Sequence, residues 1–373
     1  MRLLEQLIRR VLLRLIGTLR AREHPTPGNI PLESIHKILI VRQHDQLGDL
    51  LIATPAIRAL RLRFPSAYIA VVVREYTAPV LLNNPYVDEV IVFYDKLWRW
   101  NLQRLISFWR ALRVQGGFDC AIMLNTISRS FTSDLIAVMS KARYIIGPDH
   151  HSHDSGLPEQ IYNVVVPRSP QQKHEIQRNL DIVRALGAKE NDTRYDLVLT
   201  DSEVSEGEKI YQALGIRAGH ALVGVHFGAE NILKRFPLES LAKVIDWIAA
   251  EYDAEIVLII SPKEIERRTF LLSKLHSKVH SAPIMPLRVM AAFMRRIDLF
   301  ICNDTGTLHI AASQNVPTVS FHSLSAPEIW KPPHSRHIAL VAADGLITSI
   351  TIDQVQSAVK SSLNKLEKKK YLR

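Results

Sequence analysis

The chain has 373 residues, 47% of them hydrophobic, which is enough to fill two cores of ordinary domain size. Its two cysteines, Cys120 and Cys302, both sit in apolar runs, which excludes a disulfide framework and fits a reducing cytosol. The net charge of +10 gathers at the ends. Residues 1–30 carry six Arg against two Glu, residues 358–373 carry five Lys and one Arg against one Glu, and the body between them is close to neutral. That distribution argues against a nucleic-acid partner, whose enzymes carry basic charge on the folded body, and for attraction of the termini to an anionic membrane surface.

In chain order, Leu4, Leu7, Ile8, Val11, Leu12, Leu15 and Leu19 recur at helical spacing, with Arg2, Arg9, Arg10, Arg14 and Arg20 mostly opposite them. Residues 1–30 therefore read as an amphipathic basic helix. It is too charged for the apolar core of a signal peptide and too short to span a bilayer. After Pro25, Pro27 and Gly28, a buried strand is expected over Lys37–Arg42 and a helix from about Leu50 to Phe64. Further strands are expected over Tyr68–Val73, Val87–Phe93, Phe118–Leu124, Tyr144–Ile146 and Tyr162–Val166. One helix containing Trp98, Trp100 and Trp109 precedes the fourth strand, and another runs from about Lys173 to Leu186. Residues 191–219 read as an interdomain connection, with a charged helix from about Ser202 to Leu214.

The alternation then restarts, with strands over Ala221–Phe227, Glu255–Ile260, Asp298–Cys302, Pro317–Phe321 and Ile338–Val341. Helices fall over Pro237–Tyr252, Lys263–Leu275 and Leu287–Arg295. The last helix, about Ile352–Lys369, is free to return to the first domain. Apolar strands alternating with helices mean parallel sheets covered on both faces. The expected architecture is α/β, with two doubly wound domains (31–190 and 220–350) and a basic C-terminal helix over 351–373. Ligands in such sheets lie beyond the strand carboxyl ends, here in the cleft between the domains.

Three stretches carry candidate chemistry. Gly48-Asp49 follows the first strand. Gly48 allows a tight turn, and Asp49 could take a proton from an acceptor hydroxyl, or could simply cap its helix; Asp45 is a weaker rival. Gly228 with Lys234-Arg235-Phe236-Pro237 follows the first strand of the second domain and could reach a diphosphate. Leu299–Asn303 runs as a strand into Asp304-Thr305-Gly306-Thr307 and a helix with His309, leaving N–H groups at a helix start as an anion site. A cation and a helix start on neighbouring loops suit a diphosphate leaving group without a metal. No Asp-x-Asp pair, Gly-x-Gly-x-x-Gly or Walker lysine occurs. The run His150-His151-Ser152-His153-Asp154 reads as a solvated or substrate-facing loop before a metal site.

Asp304-Thr305-Gly306-Thr307-Leu308-His309-Ile310-Ala311-Ala312 with Val316-Pro317-Thr318-Val319 resembles the hallmark of glycosyltransferase family 9, the lipopolysaccharide heptosyltransferases. Ile40-Val41-Arg42 through Leu47-Gly48-Asp49 to Ala56 is similar to the family's N-terminal motif, and Gly228 with Lys234–Pro237 to its Gly…Lys-Arg-Trp-Pro segment. His174-Glu175 and Asn179 are similar to its interdomain helix. The resemblance covers roughly residues 35–345. It implies a GT-B fold, with acceptor on the first domain and a nucleotide sugar, typically ADP-heptose, on the second. It implies Asp49 as general base, with Gly48 and Arg42 on the acceptor side. Lys234, Gly228, Asp304, Thr305, Gly306, Thr307 and His309 would serve the donor, and transfer would be inverting and independent of any metal or other cofactor. Two departures stand out: Phe236 replaces the usual Trp, and Ser261-Pro262-Lys263-Glu264 lacks a common glycine, with Glu264 the candidate for the ribose. The implied partners are a nucleotide sugar, a lipid-linked glycan acceptor and the inner face of the cytoplasmic membrane, reached through the basic termini. A GT-B transferase with a different donor and glycan, and an inactive GT-B-like binding protein, are the alternatives.

Overall fold

A computed structural model of the protein describes residues 25–26, 29–114, 116–149, 161–323 and 326–370. The amphipathic segment Met1–Arg22 and the His150–Asp154 run lie outside them. The chain divides at Asp196/Leu197 into two compact units.

The first unit holds a six-stranded, all-parallel sheet in the order β3-β2-β1-β4-β5-β6. Its strands are β1 (Lys37–Arg42), β2 (Tyr68–Arg74), β3 (Glu89–Phe93), β4 (Cys120–Met123), β5 (Tyr144–Pro148) and β6 (Val164–Val166). Runs such as Ile-Leu-Ile-Val in β1 and Ile-Ala-Val-Val-Val in β2 are buried throughout, as strands covered on both faces require. The helices are α1 (Leu47–Arg63), α2 (Leu102–Leu112), α3 (Phe131–Met139) and α4 (Glu175–Val183).

Three local expectations are corrected. Helix α1 starts at Leu47, so Gly48 lies in its first turn and the tight bend is made by residues 43–46. The tryptophan-bearing helix is two pieces. Leu97–Arg99 forms a 3₁₀ turn holding Trp98, and α2 restarts after Asn101, whose side chain accepts from Arg104 N at 2.8 Å as an N-cap. Helix α3, absent from the sequence reading, is short and apolar, so it gives no amphipathic signal; Ser130 caps it by accepting from Ser133 N.

Arg58, buried in the middle of α1, ties down the segment that closes the unit. It pairs with Asp196, donates to Glu190 Oε2 at 3.0 Å and to the carbonyl of Arg194 at 3.3 Å, and also reaches the carbonyl of Asp192. Replacing it by Met leaves Glu190 and Asp196 facing each other without a cation. Arg58→Met is expected to lower the stability of this unit by about 2–3 kcal/mol, below the loss for a fully buried pair because water reaches Asp192. Urea denaturation followed by circular dichroism checks this; an unchanged midpoint would mean the segment is held by other contacts.

The second unit repeats the architecture, in the order β12-β11-β10-β7-β8-β9, again all parallel. Its strands are β7 (Leu222–His226), β8 (Glu255–Leu258), β9 (His280–Ser281), β10 (Leu299–Asn303), β11 (Thr318–His322) and β12 (His337–Val341). Its helices are α5 (Asp201–Ala213), α6 (Leu238–Tyr252), α7 (Ile265–Leu272), α8 (Leu287–Met294), α9 (Gly306–Ser313), α10 (Pro327–Trp330) and α11 (Ile352–Lys370). Helix α5, inside the span read as a connection, packs on α8. Gly207 permits that close approach, since a Cβ there would come within 2.7 Å of Phe293 N. Helix α11 belongs to this unit: Val355, Ala358, Val359 and Leu363 join the core formed by β7, β8, β10 and α6. Among the described residues no helix is long and apolar enough to cross a membrane.

Both sheets are doubly wound, so each has a point where the strand order reverses. These lie between β1 and β4 and between β7 and β10, and the loops that splay apart there form the ligand crevice of such folds.

Candidate active site

At the first switch point β1 ends in Arg42, which is 4% exposed. Its guanidinium pairs with Asp45, donates to the carbonyl of Leu124 at the end of β4, and donates to Asp49 O at 3.0 Å and Asn179 Oδ1 at 3.4 Å. Arg42 is thus an internal brace joining the loops after β1 and β4 to α1 and α4. Burial pushes the Asp45 carboxyl up to about 7, against the pull of Arg42. Glu175, opening α4, is likewise raised to about 7 by burial, against Arg178 at 2.9 Å, and accepts from Thr126. Asp49 stands beside both carboxyls but is only partly buried. Its Oδ2 accepts from Gln46 N at 3.0 Å, so the expected capping contact exists. Asp49 is therefore the outermost carboxylate of this group, placed where a substrate hydroxyl could reach it.

At the second switch point two loops meet. Lys234, in the 3₁₀ turn Ile232–Lys234, donates to Asp304 Oδ2 at 2.7 Å. Burial pushes the Asp304 carboxyl up, but the His322 ring and Lys234 outweigh it and hold it below the usual carboxylate range. Asn303, buried at the end of β10, staples the loops. Its Oδ1 accepts from Phe236 N at 3.0 Å, and its Nδ2 donates to the carbonyls of Phe227 at 3.0 Å and Gly228 at 3.2 Å. Phe236 stacks on Phe321 with ring centroids 4.2 Å apart, so an aromatic ring is what this position needs for packing.

Helix α9 opens on Gly306 without a side-chain cap from Thr305, whose hydroxyl meets that of Thr307 at 2.8 Å instead. The N–H groups of Gly306 and Thr307 open this helix two and three residues after Asp304, the partner of the Lys234 ammonium. Glu264 lies in the turn after β8 and accepts from Ser261 N at 2.8 Å. It closes over Gly228, where a Cβ would come within 2.6 Å of Glu264 Oε1, so a side chain at 228 would displace that carboxylate. His309 is buried within α9, close enough to act on Asp304 electrostatically.

The structure thus gathers Lys234, Asp304, Thr305, Gly306, Thr307 and His309 on one crevice, with Gly228 and Glu264 as a second group at the neighbouring strand ends. Sequence reasoning missed Asn303 and His322. His322 ends β11, fully buried, with Nε2 on Ser320 Oγ at 2.8 Å and Nδ1 at 3.9 Å from Asp304 Oδ1. Only the position at a strand end flanking the anion turn could have signalled either. Among the described residues no group of three or more His, Cys, Asp or Glu side chains is placed to hold a metal ion.

Two doubly wound parallel-sheet units of this kind make up the GT-B class of glycosyltransferase. The family model for glycosyltransferase family 9 (heptosyltransferase) matches residues 105–353, a span that includes both donor-side turns, and the chain belongs to that family. It is 23% identical to lipopolysaccharide heptosyltransferase 3 of Escherichia coli over 308 residues, 80% of this chain and 86% of that one. A family 9 glycosyl transferase from Veillonella parvula superposes with a TM-score of 0.76 at 22% identity, over 89% of this chain and 98% of that one. The E. coli heptosyltransferase WaaC, solved with ADP-2-deoxy-2-fluoro heptose, superposes with a TM-score of 0.68 at 18% identity, over 87% and 99%.

Proposed function

We propose that this glycosyltransferase moves a heptose from ADP-heptose to a lipopolysaccharide core acceptor, with inversion and without a metal. The observation that carries the reading is the Lys234–Asp304 pair at 2.7 Å beside the start of α9, a cation and the opening N–H groups of a helix on neighbouring loops. In this reading Asp49 takes the proton of the acceptor hydroxyl as its oxygen bonds to the anomeric carbon. The bond from that carbon to the diphosphate breaks, and the nucleoside diphosphate leaves. Lys234 and the N–H groups of Gly306 and Thr307 stabilise the charge that grows on it, so no metal is needed for that role. The transition state resembles an oxocarbenium ion, by analogy with glycoside hydrolysis. Glu264, over Gly228, meets the ribose. The E. coli relative's name and the WaaC ligand support the choice of acceptor and donor. The place of action is the inner face of the cytoplasmic membrane, where a lipid-borne acceptor would be met.

A thermal-shift panel with ADP, UDP, GDP and CDP tests the donor. Near 100 times its Kd a ligand stabilises by about 2.7 kcal/mol, and the melting temperature is expected to rise by about 2–4 °C with ADP alone. A shift with another nucleotide instead would keep the reaction and change the donor. No shift with any of the four would favour the inactive binding protein.

A further inference from the structure

The first unit carries an apolar surface that neither the core nor the active site uses. It starts where β3 ends. Leu97 is 88% exposed, Trp98 78% and Leu102 73%, and Leu105 and Ile106 are exposed beside them. Single exposed leucines are ordinary, but a continuous cluster is not.

The cluster has a simple geometric origin. Helix α2 bears two apolar stripes. Phe108 and Leu112 face the sheet and lie in its core. Leu102, Leu105, Ile106 and Trp109 follow the i, i+3, i+4, i+7 spacing and form a second stripe, facing largely outward. Trp98 extends that stripe through the 3₁₀ turn. Trp100 pins the turn to the body, packing edge-on against Phe93 and Phe108 and donating its Nε1–H to Tyr94 O at 2.7 Å. The patch is therefore held in place and is not a fraying loop.

Its charge is one-sided. From Lys96 to Arg113 there are five basic residues and no acidic one. Lys96 Nζ lies 5.0 Å from the Trp98 ring centre and the Arg113 guanidinium 4.9 Å from that of Trp109. Arg99 is paired with Glu75, and Asp95 stands just before the run. Exposed Trp and Leu rimmed by Lys and Arg is the composition of a surface that lies in the interface of an anionic bilayer.

The patch is also tied to the catalytic turn. Glu75, held by Arg99, precedes Tyr76, whose hydroxyl bonds to Gln46 Oε1 and to Asp45 O at 3.2 Å. In an all-parallel sheet the ends of β3, β2 and β1 lie on one edge, so the patch and Asp49 share it.

We infer that this surface docks the first unit on an anionic lipid bilayer, inserting Leu97, Trp98 and Leu102 among the headgroups and presenting the Asp49 turn to the membrane. This goes beyond the transferase reading and rests on it only for its purpose. The test is flotation of the full chain with phosphatidylglycerol/phosphatidylethanolamine vesicles and, separately, with phosphatidylcholine vesicles, using the parent and Leu97→Ser/Trp98→Ser/Leu102→Ser. The parent should float with the anionic vesicles, and the triple variant should bind them at least about tenfold more weakly. Because the basic termini could also bind, brominated lipid is added as a site-specific quencher. It should quench a Trp component that Trp98→Phe removes, while Trp98→Phe still floats. Equal flotation of parent and triple variant, or a vesicle-bound chain whose Trp98 emission is not quenched, overturns the proposal. Absence of vesicle binding with self-association that the triple variant abolishes would overturn it too, making the patch a contact between copies. If the triple variant fails to fold, the quenching comparison decides alone. Neither donor nor acceptor is present, so a failed nucleotide panel leaves the inference standing and a failed flotation leaves the transferase reading standing.

Discussion

Asp49→Asn is expected to lower kcat by about 10²–10⁴-fold while leaving the melting temperature nearly unchanged. The substitution is chosen because Asp49 has two possible jobs. Its Oδ2 accepts from Gln46 N at the first turn of α1, which is what a purely structural capping residue does. The Asn side chain keeps an oxygen for that bond and the same size, but it cannot take a proton. A cap alone predicts full activity in Asp49→Asn; a base predicts its loss. Asp49→Ala should then show the same kinetic loss plus a fall in stability of about 1 kcal/mol from the missing cap. The neighbours sharpen the comparison. Asp45 and Glu175 both titrate near 7, raised chiefly by burial, and both face Asp49. As pH rises through that region they gain negative charge beside the group that receives the proton, so kcat should climb across it. In Glu175→Gln that climb should be smaller. Near wild-type turnover by Asp49→Asn would sink the assignment, and Asp45 would be the next residue to change.

How far such a site can be seen in a sequence depends on what kind of signal each part leaves. The strands were legible because parallel strands buried on both faces become unbroken runs of Ile, Val and Leu; β1 is found residue for residue and β12 within one. The turn at Asp304–Thr307 was legible because it follows such a run at once, whereas Gly48 and Asp49 already lie in α1 and the bend before them falls at residues 43–46. What failed was anything that depends on a third element. Helix α3 shows no polar face. Arg42 is placed on the acceptor side by the resemblance alone, and its role as a brace shows only in the fold, which surrounds it with Asp45, Leu124, Asn179 and the Asp49 carbonyl, from places up to 137 residues apart in sequence. Asn303 and His322 matter only because β7, β10 and β11 are neighbours in the sheet. The second stripe of α2 is ambiguous in sequence for the opposite reason. Its Leu, Ile and Trp spacing is that of a core face, and only the packing of Phe108 and Leu112 reveals that the core face is elsewhere. The near-neutral body charge hid the five basic residues between Lys96 and Arg113 for a similar reason, since acidic residues elsewhere in the chain cancel them in the sum.

Lys234→Met should lower kcat/KM for the donor by about 10²–10³-fold, the loss typical when one preorganised charge-stabilising donor is removed. Two effects are combined in that figure, and the structure says how to separate them. The ammonium that would meet the diphosphate is also the partner of Asp304 at 2.7 Å. Removing it withdraws a positive charge from the leaving group and leaves a mostly buried carboxylate beside the same crevice. That carboxylate is held ionised in part by Lys234 itself, with His322, against the cost of burial. Once unpaired it repels the diphosphate, so Lys234→Met should fall in both kcat and donor affinity. In Lys234→Met/Asp304→Asn the repulsion is gone and donor affinity should recover by roughly tenfold, while kcat stays low because nothing replaces the cation in the transition state. Asp304→Asn alone should cost less than Lys234→Met, since the lysine keeps its charge and loses only its orientation. Full recovery of kcat in the double variant would show that Lys234 serves only to neutralise Asp304. The leaving-group charge would then fall to the N–H groups that open α9, where Gly306→Pro, which deletes one of them at a position that tolerates proline, becomes the decisive substitution.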